Sequence, residues 1–176
     1  MTLAQAYYAL AAFLLLGGWL IFSGSPVLTT FRRDRGATLV LLFLAVGWFA
    51  WQLYTLPEPD LAGLPRNIVM AIFVGAALLT YVYMPDFLSV RSLGVLMLFL
   101  ARLTLDAGYR QLPYSLLDAS VSYGILVLFG FWWAASPVAF NQHCDWVLAT
   151  PLRRKVVGSV WLALAVACVA QSFRLA

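Results

Sequence analysis

Six apolar runs follow one another along the chain, each near the roughly twenty residues that a helix needs to cross a bilayer. Short polar breaks separate them. No other feature narrows the fold so far. Apolar residues make up 64% of the sequence and charged residues 10%, against roughly half and a quarter in soluble domains. A water-soluble core cannot absorb that much apolar sequence. A transmembrane barrel would need strands that alternate polar and apolar, and neither Leu39–Val46 nor Val160–Ala170 alternates. The expectation is therefore an all-α, polytopic membrane protein. It has six transmembrane helices paired as three hairpins, at about 3–54, 67–109 and 113–173, in a single transmembrane domain over 1–176.

The breaks locate the helix ends. Helix one is expected over Leu3–Phe22, ending at the turn cluster Ser23-Gly24-Ser25-Pro26. No Lys or Arg precedes Arg32, so the basic start of a signal peptide is missing and the helix is expected to be retained. Helix two spans Ala37–Tyr54, and helix three spans Asn67–Met84, stopped by Pro85, which cannot donate to the helical ladder. Helix four spans Phe87–Tyr109. Helix five runs from Pro113, a natural first-turn residue, to Ala135. The longest connection, Ser136–Lys155, is expected to hold a short interfacial helix near Asp145–Ala149 before helix six at Val156–Phe173.

Six spans put Arg32, Arg33, Arg35, Arg91, Arg153, Arg154 and Lys155 at one side. Arg66, Arg110, Arg174, Glu58 and Asp60 fall at the other. By the positive-inside rule the first side is cytoplasmic, which places both termini outside the cytoplasm and suits a bacterial inner membrane. The same seven cations are expected to meet anionic lipid headgroups. With a net charge of only +4 and no basic–aromatic groove, nucleic acid is not an expected partner. Tyr7, Tyr8, Tyr109, Tyr114, Trp132 and Trp133 lie near span ends, where aromatic belts form.

A possible internal repeat accompanies the hairpins. Ser25-Pro26-Val27 is followed by Arg32-Arg33 and Gly36, Met84-Pro85-Asp86 by Arg91 and Gly94, and Ser136-Pro137-Val138 by Arg153-Arg154 and Gly158. The period is roughly 50–60 residues. Any membrane hairpin uses such parts: proline stops a helix, arginine reaches the headgroups and a small residue lets helices approach. Gly17, Gly18, Gly47, Gly75, Ala76, Ala77, Gly94, Gly124 and Gly130 are small residues that allow close helix contact.

The informative chemistry is charge inside the spans. Arg102, Asp106 and Arg110 recur every fourth residue and share a helix face. Asp118 lies at a depth similar to Arg102, roughly 7 Å and 10 Å from their helix ends at the helical rise. An Arg102–Asp118 pair facing inward relieves much of the about 2.5–3.5 kcal/mol that each lone mid-membrane charge costs. Alternatively Asp106 neutralises Arg102 within its own helix, and Asp118 needs another partner. Gln5, Gln52, Asn67, Ser120, Ser122 and Gln171 lie on the same side. This group is either a site for a substrate, ion or partner helix or a structural fastening of helices four and five.

No metal site is expected, because His143 is the only histidine and its neighbours Cys144 and Asp145 point in other directions. No cofactor is expected either. Cys144 and Cys168 differ in depth and are not expected to pair. No catalytic set is visible, so catalysis is not expected; Asp106, Asp118 and His143 are the only groups that suit acid–base work. The reading that remains is a non-catalytic integral membrane subunit packing within a larger assembly, with membrane lipids and other membrane subunits, or itself, as partners. The alternative is a small transporter or lipid-handling protein using the polar group around Arg102 and Asp118.

Overall fold

The structure, a computed structural model, describes residues 1–57, 63–83 and 87–175. The expectations placed on Glu58, Asp60, Met84, Pro85 and Asp86 lie outside the described residues. Among those described, every regular element is a helix, and six are long and apolar enough to span a membrane. This is the architecture of an integral membrane protein.

α1 covers Leu3–Ser23. Thr2 and Gln5 start it with a reciprocal capping box, and Gly24, at φ 65, ends it in the left-handed region that glycine adopts without strain. A single turn, α2 (Val27–Thr30), and a 3-10 turn at Phe31–Arg33 follow. α3 (Arg35–Thr55) starts where the Asp34 carboxylate accepts from the N–H groups of Gly36 and Ala37. α4 covers Arg66–Tyr83 and α5 covers Leu88–Gly108. The fifth span, Leu116–Ala135, has three parts: α6 (Leu116–Val121), a π-helical stretch at Ser122–Val127, and α7 (Leu128–Ala135). α8 covers Pro137–Leu148, and α9 covers Pro151–Phe173.

Three boundaries differ from the sequence expectation. The connecting helix is not the short piece near Asp145–Ala149: α8 spans 12 residues from Pro137. Pro137, read as a helix stop, is at the start of a new helix, where its missing N–H costs nothing. The last span begins at Pro151 rather than Val156, because Thr150 accepts from the Arg153 N–H and Pro151 occupies the first turn. The fifth span begins at Leu116, three residues after Pro113.

α5 is the central span. It packs against α3 on one side, the fifth span on another and α1 on a third. α1 and α9 make the most extensive helix pair. Gly94 of α5 meets Gly130 of α7 so closely that a Cβ on Gly94 would lie 2.6 Å from the Gly130 carbonyl oxygen. Tyr7, Leu10, Leu14, Met97, Leu126, Ala165 and Cys168 form the buried apolar cluster between these helices. α4 is different. It packs chiefly on α3, where Phe49 and Phe73 stack at 3.6 Å between ring centroids, and none of its residues is buried.

The bundle has two unlike ends. One collects the C-terminus of α1, the starts of α3, α5 and α9, and α8. It carries Arg32, Arg33, Arg35, Arg91, Arg153, Arg154 and Lys155. The other collects the start of α1, the ends of α5 and α9, and the start of the fifth span.

Candidate functional site

At the second end, polar side chains are buried among α1, α5 and the start of the fifth span. Asp118 is the third residue of α6, so its backbone N–H is one of the donors that a helix start leaves without a partner. In a longer helix it would bond to the Tyr114 carbonyl. Instead the Tyr7 hydroxyl stands between them: it accepts from the Asp118 N–H at 3.2 Å and donates to the Tyr114 carbonyl at 2.6 Å. Tyr7 is fully buried. It reads from sequence as an interfacial belt residue, and the structure makes it an internal fastener between α1 and the fifth span.

The Asp118 side chain is also fully buried. Ser122, one turn on, donates to its Oδ1 at 3.2 Å, and the Ser122 and Thr104 hydroxyls share a hydrogen bond of 2.8 Å. Thr104 Oγ1 is also 3.0 Å from the Ala101 carbonyl, so with Ser122 donating to Asp118 the single Thr104 proton serves either Ser122 or Ala101. Asp118 Oδ2 has no hydrogen-bond partner among the described residues and faces Gly108 at the end of α5. Sequence reasoning placed Ser122 on this side and missed Thr104 and Tyr7. A hydroxyl on an apolar helix and a tyrosine near its end carry no signal of their own; only the packing of α1 on the fifth span selects them.

Arg102 is not the partner of Asp118. It pairs with Asp106, one turn along α5, at 3.8 Å. The side chains of Arg102 and Asp106 are 52% and 71% exposed, so the pair lies on the surface of the bundle, not inside it. The two carboxylates are thus separated: Asp118 in a hydroxyl network within, Asp106 beside a cation without. Arg110, the third member of that face, is exposed beyond the end of α5 with its guanidinium 5.2 Å from the Tyr109 ring. Gln5, Asn67 and Ser120 are exposed, while Gln52 and Gln171 are half-buried. They do not line a common buried site with Asp118.

The seven cations of the basic end divide by environment. Arg32 sits 4.6 Å over the Phe87 ring, and Arg153 sits 5.0 Å over the Trp146 ring. Arg154 is half-buried against Gly24, where α1 ends, and its Nε has no partner among the described residues. Arg33, Arg35, Arg91 and Lys155 are exposed.

Between α1, α2, α8 and α9 at this end lies a partly open cavity of about 420 Å³. Phe13, Phe31, Phe129, Phe140, Trp133 and Trp161 supply much of its wall, with His143 and Cys144 also on it. The Trp133 indole N–H donates to His143 Nδ1 at 3.1 Å, and the His143 ring meets Trp132 and Phe129 edge-on. Both His143 and Cys144 are thereby packed as wall, with His143 Nδ1 occupied by the Trp133 indole. Among the described residues, no group of three His, Cys, Asp or Glu side chains is placed to hold a metal ion. No known protein family matches the chain, and no curated protein or solved structure matches it either.

Proposed function

We propose that this chain is a non-catalytic membrane subunit that packs against other spans, of another protein or of a second copy, in a larger assembly. The Arg102–Asp106 pair carries the reading. Arg102 lies six residues before the end of α5, about 9 Å along the helix, and its side chain is exposed. Charges at membrane depth face a protein interior or a water-filled cavity far more often than lipid. Partial neutralisation by Asp106 lowers the cost of the exposed pair without removing it. A partner span laid over this face would complete its hydrogen bonding. The unburied α4 is consistent with the same role, since a small-residue helix such as one bearing Gly75, Ala76 and Ala77 admits a neighbouring backbone closely.

In this reading the basic end faces the cytoplasm of a bacterial inner membrane and both termini lie on the far side, as the asymmetry of Arg and Lys favours. The three pairs of consecutive spans would derive from one repeated unit, although the chief helix contacts run between pairs, α1 on α9 and α5 on α3 and α7.

Extraction of the native protein in mild detergent, followed by identification of what purifies with it, tests the reading. A defined partner or a discrete oligomer is expected, and Arg102→Leu with Asp106→Leu should weaken it while the monomer keeps its helicity. A stable monomer that associates with nothing would defeat the proposal.

A further inference from the structure

We infer that the cavity at the basic end, together with the start of α9, is a binding site for one anionic membrane phospholipid. The acyl chain occupies the cavity and the phosphate rests on Arg153 and Arg154.

The wall decides what the cavity holds. It is almost wholly apolar, so water there would lack the two to four polar partners that hold a buried water in place. Its volume, about 420 Å³, lies in the range of roughly 300–1,000 Å³ typical of ligand pockets. The cavity is partly open in a protein surrounded by lipid, so a hydrocarbon chain is the occupant at hand.

The helix register adds the headgroup. Arg153, Val157 and Trp161 recur every fourth residue on α9 and share a face. Val157 and Trp161 line the cavity, as does Trp146, the indole that the Arg153 guanidinium covers. The charge is therefore at the mouth and the apolar residues lie below it, in the order of a lipid. Arg153, Arg154 and Lys155 sit in the first turns of α9, where the positive end of the helix dipole repels cations. Among the described residues none of the three has a carboxylate within ion-pair distance. Arg154 Nε is buried without a partner. A phosphate at this position answers the first two deficits at once.

The site is independent of the subunit reading: a solitary protein keeps it, and a change that abolishes partner binding leaves it intact. Native mass spectrometry of the full-length protein tests it, after incubation with phosphatidylglycerol or phosphatidylcholine of identical acyl chains. One phosphatidylglycerol per chain is expected to survive activation that strips phosphatidylcholine. Arg153→Gln and Arg154→Gln should each lower that preference roughly fivefold. Val157→Phe, which fills the cavity from α9, should remove retention of both lipids; Val147→Phe does the same from α8 should the first variant not fold. Equal retention of the two lipids by the parent, no retention at all, or unchanged retention in a folded, cavity-filled variant overturns the inference.

Discussion

Tyr7 and Asp118, 111 residues apart, are joined by a hydrogen bond that caps the start of α6. The Tyr7 hydroxyl takes the place of a direct contact between the Tyr114 carbonyl and the Asp118 N–H, at 2.6 Å and 3.2 Å. Tyr7→Phe removes both links and leaves a buried N–H and a carbonyl unsatisfied. The expected loss is about 1–3 kcal/mol, read as a lower unfolding midpoint in detergent. Because the phenyl ring is kept, packing around Leu10 and Cys168 is unchanged, and Tyr7→Leu should cost more than Tyr7→Phe. Equal midpoints for Tyr7→Phe and the parent would show that the hydroxyl carries no stability.

The carboxylate of Asp118 depends on the bare backbone of Gly108. A Cβ on Gly108 would lie 2.6 Å from Asp118 Oδ2 and 3.0 Å from the Ser115 Cβ. Gly108→Ala is expected to destabilise by about 1–3 kcal/mol through overpacking. Asp118→Ala frees that space, so the double variant should lose less than the sum of the two single losses. Strict additivity in denaturation would mean that the two residues do not meet.

These two contacts also mark how far the sequence could be read. The six spans were legible because apolar runs of that length have one stable solution in a bilayer. The basic end was legible because Arg and Lys gather in alternate loops. The partner of Arg102 was not: Asp106 suited it by its spacing on the same helix and Asp118 by depth, and only the rotation of α5 within the bundle chooses between them. The start of α8 was misread because proline both stops one helix and opens the next, and residue type alone does not say which. The π-helical stretch at Ser122–Val127 has no composition of its own. The cavity is invisible in sequence because its wall is drawn from α1, α2, α3, α5, α7, α8 and α9.

Glycines along the spans carry unequal weight, although the sequence presents them alike. Gly94 faces backbone: a Cβ there would lie 2.6 Å from the Gly130 oxygen and 3.0 Å from the Ala134 nitrogen. Backbone cannot yield as a flexible side chain can, so Gly94→Ala should cost about 2–3 kcal/mol. Gly75 on α4 has nothing within 4 Å. Gly75→Ala is expected to leave the unfolding midpoint of the isolated chain unchanged or slightly raised, because alanine is the better helix former by roughly 0.5–1 kcal/mol. Gly75→Ile separates stability from association: it should preserve the midpoint and reduce recovery of any partner that covers α4.

Cys144 provides a pH test outside the spans. Its thiol is pushed up to about 12 from an ordinary 9.0, first by burial and second by the neighbouring Asp145 carboxylate. Between those two values the unfolded chain has released its proton and the folded chain retains it. Unfolding is therefore favoured increasingly as pH rises through this window. The contribution of Cys144 is fully present below about 9 and is lost as pH approaches about 12. Cys144→Ser should flatten the fall in stability across that interval relative to the parent, with no difference at pH 7. The same burial keeps the folded thiol unionised at pH 8, and the thiolate is the reactive form. Alkylation of Cys144 should then be slow in the native protein and rapid after denaturation, with Cys168, fully buried beside Tyr7 and Leu10 in the apolar core, reacting only in the second case. Fast native labelling at Cys144 would place it in water rather than in the cavity wall.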